Sequence, residues 1–186
     1  MKHPDPDLKG IIVAVAADPR HRFSKPMQSQ ISLIAGHGVE GDAHAGEFVR
    51  HRYLARWRPR LPNVRQVHLI PSELFATLRD AGYNVGPSDL GENITTAGLD
   101  LERLPLGTCV RLGDEAVVEL TGLRTPCSLI DKFQAGLKRH MLSSAETGPP
   151  FRCGVLGLVR TGGQVAAGDR AVVALPAGLR QPLPSL

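Results

Sequence analysis

At 186 residues the chain is long enough to bury a sizeable core as one domain. Its 20 glycines, 15 prolines and 4% aromatic residues speak against a helical bundle and for short strands joined by many turns. The net charge of +4 rests on arginine, 17 against 5 lysines; arginine binds phosphate and carboxylate bidentately, although genomic composition produces the same bias.

The first apolar run, residues 10–17, is too short to span a membrane, and Asp5 and Asp7 before it argue against a signal peptide. Residues 11–16 are therefore expected as a buried strand, ended by Asp18-Pro19-Arg20. Residues 20–28 read as loop and 31–35 as a second short strand.

Gly36-His37-Gly38-Val39-Glu40-Gly41 matches the dinucleotide pattern G-x-G-x-x-G in letters only. No apolar helix pattern follows it, and about twenty residues on stands an arginine cluster where a ribose-binding acid belongs. Gly41-Asp42-Ala43-His44-Ala45-Gly46 is more pointed, because a small-residue loop carrying one acid and one imidazole can approach a polar ligand closely. Zinc ligation by His44, His51 and His68 has little support, since their spacings match no common ligand pattern. Residues 50–60 interleave arginines with Tyr53 and Trp57, the mixture a nucleic-acid surface uses and also the mixture of a solvated basic turn.

Residues 64–70 alternate as a strand, with Val64, Gln66 and His68 on one face and Arg65, Val67 and Leu69 on the other. Pro71 opens a helix that Ser72 is placed to cap, with Leu74, Phe75, Leu78 and Ala81 on one side and Gly82 at its end. Gly91-Glu92-Asn93-Ile94-Thr95 is a turn running into a short strand; its asparagine can bond a heterocycle edge or its own backbone. Residues 108–112 and 116–121 form a hairpin about Gly113-Asp114-Glu115.

Arg124-Thr125-Pro126-Cys127-Ser128 follows this strand and precedes a helix whose expected apolar face is Ile130, Phe133, Leu137 and Met141. A thiol so placed lies near unpaired N–H groups and an arginine, which favour the thiolate that attacks electrophiles and binds metals. A small buried apolar residue is the bland alternative. Residues 143–150 read as a flexible loop. A last hairpin over 155–159 and 165–173 is expected around Gly162-Gly163, then a frayed proline-rich tail over 176–186. Cys109, Cys127 and Cys153 are odd in number and contain no CxxC, which excludes a disulfide framework, a zinc ribbon and an iron–sulfur cluster and suits a reducing, cytoplasmic setting.

About eight strands and two helices without βαβ alternation imply a mainly β fold. The expectation is a single domain over residues 1–175, a closed or nearly closed β-barrel with two or three helical insertions.

Taken in order, the loop Asp42–His44, Arg65-Gln66-Val67-His68-Leu69, the turn at Asn93, Leu106-Gly107 through Gly113-Asp114, Thr125-Pro126-Cys127 and Gly163 to Asp169 resemble a MOSC domain, the module named for the C-terminal part of molybdenum cofactor sulfurases. The resemblance implies a barrel fold and makes Cys127 the counterpart of a cysteine that ligates molybdenum in relatives binding the molybdenum cofactor (molybdopterin). It sets Asn93, Arg124 and Thr125 against the pterin, and Asp42, His44 and Arg65 become candidate partners of the cofactor, with Arg65, Arg124 and His44 suited to its phosphate. Some relatives reduce N-hydroxylated compounds. Here that would make Cys127 and His44 the catalytic pair, with His68 a second proton carrier.

No second redox motif stands in the sequence, so the expected partners are a protein supplying electrons and a small-molecule substrate, with no membrane. Two alternatives stay open. One is a sulfur carrier using a Cys127 persulfide, exchanging with a donor or acceptor protein; the other is a nucleic-acid-binding module using residues 50–60.

Overall fold

The computed structural model describes residues 4–48, 61–143 and 148–186. In chain order the strands are β1 (Pro4–Ala16), β2 (Met27–Gln28), β3 (Gln30–Ile34), β4 (Gly38–Val39) and β5 (Val67–Pro71). Helix α1 (Glu73–Asp80) leads to β6 (Ile94–Ala97), a 3-10 turn (Leu101–Arg103), β7 (Cys109–Leu112) and β8 (Ala116–Leu123). Helix α2 (Leu129–Phe133) and a second 3-10 turn (Lys138–Met141) precede β9 (Val155–Thr161), β10 (Gly163–Ala166) and β11 (Arg170–Ala174).

Seven strands close a barrel in the order β11-β7-β8-β9-β5-β6-β1, with β1 pairing back onto β11. Every pair is antiparallel except β5–β6, whose connection carries α1. Closure leaves no unpaired edge within the barrel wall. β2 extends the sheet beyond the end of β1, and β10, β3 and β4 form a small second sheet.

Two apolar clusters result. The barrel interior is filled by β-branched residues and leucines such as Ile12, Leu69, Val110, Leu120 and Val173. Outside the wall, Ile70, Leu74, Phe75, Leu78, Ile130, Leu137 and Met141 form a second cluster beneath the helices. β5 belongs to both, which is why Val67–Pro71 is buried at every position and lacks the alternation expected of a half-exposed strand.

The mainly β barrel is as expected; several element boundaries are not. β1 begins at Pro4, because its polar first half pairs with β11 through the backbone. The strand expected from residue 64 starts at Val67; Val64 instead accepts a hydrogen bond at its carbonyl from the Thr121 hydroxyl (2.6 Å). Ser72 stands at the start of α1 but makes no side-chain cap.

The second helix is broken in two. Gln134 turns extended (φ −142°, ψ 124°) directly after Phe133, Gly136 follows at φ +77°, and Leu137 and Met141 reach the same buried cluster at the start and end of the 3-10 turn that comes next. The last hairpin is likewise split: β10 crosses to β3, and only after the bend at Gly168-Asp169 does β11 rejoin the barrel. The tail is not frayed. Leu183 is buried in the barrel cluster, Leu123 N–H donates to Pro184 O (2.8 Å), and Leu186 N–H donates to Leu123 O (2.9 Å).

Candidate functional site

A single register row crosses five strands of the wall: Leu123 of β8, Val155 of β9, Leu69 of β5, Ile94 of β6 and Val15 of β1. All five point into the barrel. Residues one step along a strand face the other way. Arg124, Leu156, His68 and Asn93 are those neighbours, and all four line one cavity of about 190 Å³ on the outer surface of the wall. Three segments wall it in: 22–25 after β1 contributes Arg22, Phe23 and Lys25, the loop after β4 contributes His44, and the connection from β8 to α2 contributes Thr125, Cys127 and Leu129. Arg65 and Gly91 complete the lining.

Asp42 lies beneath this lining as its electrostatic anchor. One carboxylate oxygen accepts hydrogen bonds from Asp18 N–H (3.2 Å) and Asn93 Nδ2 (3.1 Å) and pairs with Lys25 Nζ at 2.7 Å. The other accepts from His44 N–H (2.9 Å) and faces His44 Nδ1 at 3.3 Å. Burial pushes the Asp42 carboxyl up, but His44 and Lys25 outweigh it and hold the group well below the usual carboxylate range. Burial pushes the Lys25 ammonium down, with Asp42 opposing.

Asn93 joins three strands. Its Oδ1 accepts from His68 N–H (3.2 Å), while Nδ2 donates to Ala16 O (3.2 Å) and to Asp42. Both amide hydrogens are thereby committed, so a ligand meets Asn93 through its remaining carbonyl lone pair or through van der Waals contact. His68 is buried with Nε2 2.9 Å from Cys153 O. Its burial, reinforced by the Arg124 charge, holds the imidazole well below its usual value, so at neutral pH it is uncharged and donates from Nε2.

Arg124 does not turn to Cys127 alone. Its Nη1 donates to the Cys153 sulfur at 2.9 Å. Burial raises the Cys153 thiol, with Arg124 opposing. Cys153 precedes Gly154, which adopts φ +82° in a position where a Cβ would collide with the Leu69 carbonyl and the His68 ring. The sequence reading left Cys153 without a role and passed over Lys25, which the lysine's isolation in a loop gave no reason to single out. Arg22 was also missed; it donates to the Asp18 carboxylate, and this bond holds Asp18 below the usual range.

Six of the seven residues singled out from the sequence thus line one cavity: His44, Arg65, Asn93, Arg124, Thr125 and Cys127. The seventh, Asp42, anchors it from below. His44 and His68 both reach it, whereas His51 and the arginine segment 50–60 lie outside the described residues. The lining carries four cations, Arg22, Lys25, Arg65 and Arg124, and no carboxylate among the described residues. A cavity with that balance attracts anions, and its half-buried thiol adds a soft donor. No helix among the described residues is long and apolar enough to cross a membrane.

Comparison with solved structures agrees with this architecture. The chain superposes on the YuaD protein from Bacillus subtilis with a TM-score of 0.76 at 20% identity, covering 95% of this chain and 100% of that one. YiiM from Escherichia coli gives 0.60 at 17% identity, covering 92% and 73%, and YiiM from Geobacillus stearothermophilus gives 0.61 at 19%, covering 93% and 77%. At these identities the likeness shows the fold alone. Comparison with curated proteins gives no match. The family model described as the MOSC domain matches residues 40–172, a span that holds the Asp42 loop, most of the barrel and Cys127, and the chain therefore belongs to the MOSC domain family.

Proposed function

We propose that the cavity binds the molybdenum cofactor, that Cys127 is the protein's ligand to the metal, and that the protein reduces N-hydroxylated compounds with electrons from a partner protein. The observation that carries this reading is the meeting of a thiol with the guanidinium groups of Arg65 and Arg124 in one lining that holds no carboxylate among the described residues. The donor set suits the group. Thiolate is a soft ligand matched to a metal already held by sulfur, and the planar forks of Arg65 and Arg124 match a phosphate. When bound, the cofactor would supply the two-electron redox chemistry.

The chain's own residues then bind, orient and move protons. Lys25, its charge balanced and its position fixed by Asp42, contributes an oriented N–H donor that is not free to swing. His44, which lines the cavity and faces the same carboxylate through Nδ1, would use Nε2 to pass a proton to or from a bound group. His68, tied to Cys153 O, serves as a fixed donor and wall. Leu129, Leu156 and Phe23 supply the apolar contact for a flat ring system.

The test is the molybdenum and pterin content of wild type and Cys127→Ser, purified side by side from a host that makes the cofactor. Metal in the wild type and its loss from the variant is the expected result; no metal in either, or equal metal in both, overturns the assignment. A second reading, a sulfur carrier with a persulfide on Cys127, is favoured by one observation. About 190 Å³ is small against the roughly 300–1,000 Å³ of ordinary ligand pockets, and a single extra sulfur fits it easily. Mass spectrometry showing a reducible gain of one sulfur on Cys127 supports that reading.

A further inference from the structure

Cys127 is not the only thiol at the site. The β8–β9 ladder pairs Leu123 with Val155, and Arg124 N–H donates to Gly154 O (3.0 Å), extending it one step. Beyond that step the ladder ends, Thr125 N–H turning to Leu186 O (3.0 Å) and Arg152 N–H to Met141 O (2.7 Å), so Cys127 and Cys153 both stand just past the same end of it. The side chain of Cys127 packs against the buried cluster to which Cys153 belongs. The Arg124 guanidinium lines the cavity beside Cys127 and donates to the Cys153 sulfur at 2.9 Å. Cys127 opens onto the cavity, while Cys153 lies fully buried behind it, its main chain held by His68 Nε2. An accessible thiol backed by a shielded one beside a fixed cation is the arrangement in which the first sulfur is oxidised and the second resolves it.

We propose that Cys127 and Cys153 form a redox-active thiol pair in which a hydroperoxide oxidises Cys127 and Cys153 captures the product as an intramolecular disulfide. In the first step the O–O bond breaks, the Cys127 sulfur takes one oxygen as a sulfenic acid, and the peroxide leaves as alcohol or water. In the second the Cys153 sulfur attacks, the S–S bond forms, the S–O bond breaks, and the hydroxyl leaves as water with the Cys153 proton. Two thiols lose two electrons in total and the peroxide gains them. Thiol reductants restore the pair. The proposal uses the same thiol as the cofactor reading but needs no cofactor. Its consequence is that the oxidised protein cannot offer Cys127 as a ligand.

The full chain, reduced and then treated with about one equivalent of hydrogen peroxide, tests it. Alkylation under denaturing conditions followed by non-reducing peptide mapping is expected to show two thiols lost per chain, a peptide linking Cys127 to Cys153, and recovery of both by dithiothreitol. Cys109, on β7 and in neither buried cluster, serves as the internal reference. In Cys153→Ser, Cys127 is expected to pass on to sulfinic acid that dithiothreitol does not reverse. If that variant does not fold, the wild-type map alone decides, with Cys127→Ser expected to lose no thiol at the same dose. Sulfinic acid on wild-type Cys127 with Cys153 recovered as free thiol overturns the proposal, as does a link through Cys109 or between two chains. Protein that never holds molybdenum yet forms the link sinks the cofactor reading and leaves this one standing.

Discussion

Replacing Asp42 by Asn keeps the shape of the side chain and removes its charge. In the wild type the carboxylate serves five donors: the Lys25 ammonium, the Asp18 and His44 backbone N–H groups, the Asn93 amide and His44 Nδ1. An amide still accepts through one oxygen, but the other position becomes an NH₂ group. If that nitrogen takes the Oδ2 position, two donors face each other at Asn93 and Lys25 is left as a buried, unpaired cation. Its side chain is 3% exposed and that of Asp42 1%, so water cannot compensate. Breaking a buried pair by removing one partner costs about 3–5 kcal/mol. For a chain of this size that corresponds to a fall in Tm of roughly 6–20 °C.

The pH dependence has a definite sign. With Asp42 gone, the burial that already lowers Lys25 loses its main opposition and only the more distant Glu92 still acts against it, so the folded variant binds fewer protons than the unfolded chain below the ordinary lysine value of 10.5. Its stability therefore rises as pH rises toward that value. In the wild type the depressed Asp42 carboxyl gives the same sign on the acid side: its contribution is complete above the ordinary value of 3.8 and fades as pH falls below it. Denaturant melts of Asp42→Asn, Lys25→Met and the double variant from about pH 6 to 9 measure the lysine effect, and wild-type melts below about pH 4 measure the carboxylate one. The double variant, which removes both charges, should recover most of the loss. A loss below about 1 kcal/mol in Asp42→Asn, or a double variant no better than the single, would refute the anchor argument.

Two further outcomes follow from buried groups away from this pair. Leu183→Ala removes the side chain by which the tail enters the barrel cluster and should cost about 2–4 kcal/mol in urea unfolding, where a frayed tail would cost nothing. Glu92 is buried, accepts at one oxygen from Ser88 N–H and the Thr95 hydroxyl, and has no hydrogen-bond partner at the other among the described residues. Burial raises its carboxyl, so its stabilising contribution is complete below the ordinary value of 4.5 and is lost as pH rises through the raised one. Glu92→Gln should flatten the fall in stability that sets in as pH rises above 4.5, and an unchanged slope in matched melts would count against the raised carboxyl.

How much of this was legible in the sequence depended on whether a signal is local. The hairpin at Gly113-Asp114-Glu115, α1 and the strand 30–34 follow from turn chemistry and periodicity, which neighbours in sequence decide. The broken second helix illustrates the limit. Ile130, Leu137 and Met141 do share one buried cluster, as helical spacing suggested, but the chain turns extended at Gln134 and two short pieces deliver them. The site was visible as residue types: Asp42, His44, Arg65, Arg124 and Cys127 carry chemistry that a resemblance could organise. What could not be read was the register row from Leu123 to Val15, because it depends on pairings between strands far apart in sequence. Lys25 and Cys153 were invisible for that reason. One is a loop lysine until Asp42 is folded beside it, and the other an ordinary core cysteine until Arg124 reaches it.

The same register row bears on what the cavity is for. A fold optimised only for stability would not gather Arg22, Lys25, Arg65 and Arg124 around one depression whose underlying acids, Asp42 and Asp18, are already committed to Lys25 and Arg22. Burial and the neighbouring Arg124 charge both work against charge on Arg65, so the site holds positive potential in tension. An anion relieves it. Inorganic pyrophosphate, the simplest probe with the chemistry of a phosphate ester, should therefore stabilise the full chain, by about 2.7 kcal/mol at a hundredfold excess over its dissociation constant. The gain should shrink with added salt and be strongly reduced in Arg65→Gln or Arg124→Gln. Stabilisation by pyrophosphate that survives both substitutions would place the anion elsewhere and remove the electrostatic basis for a phosphate-bearing cofactor in this cavity.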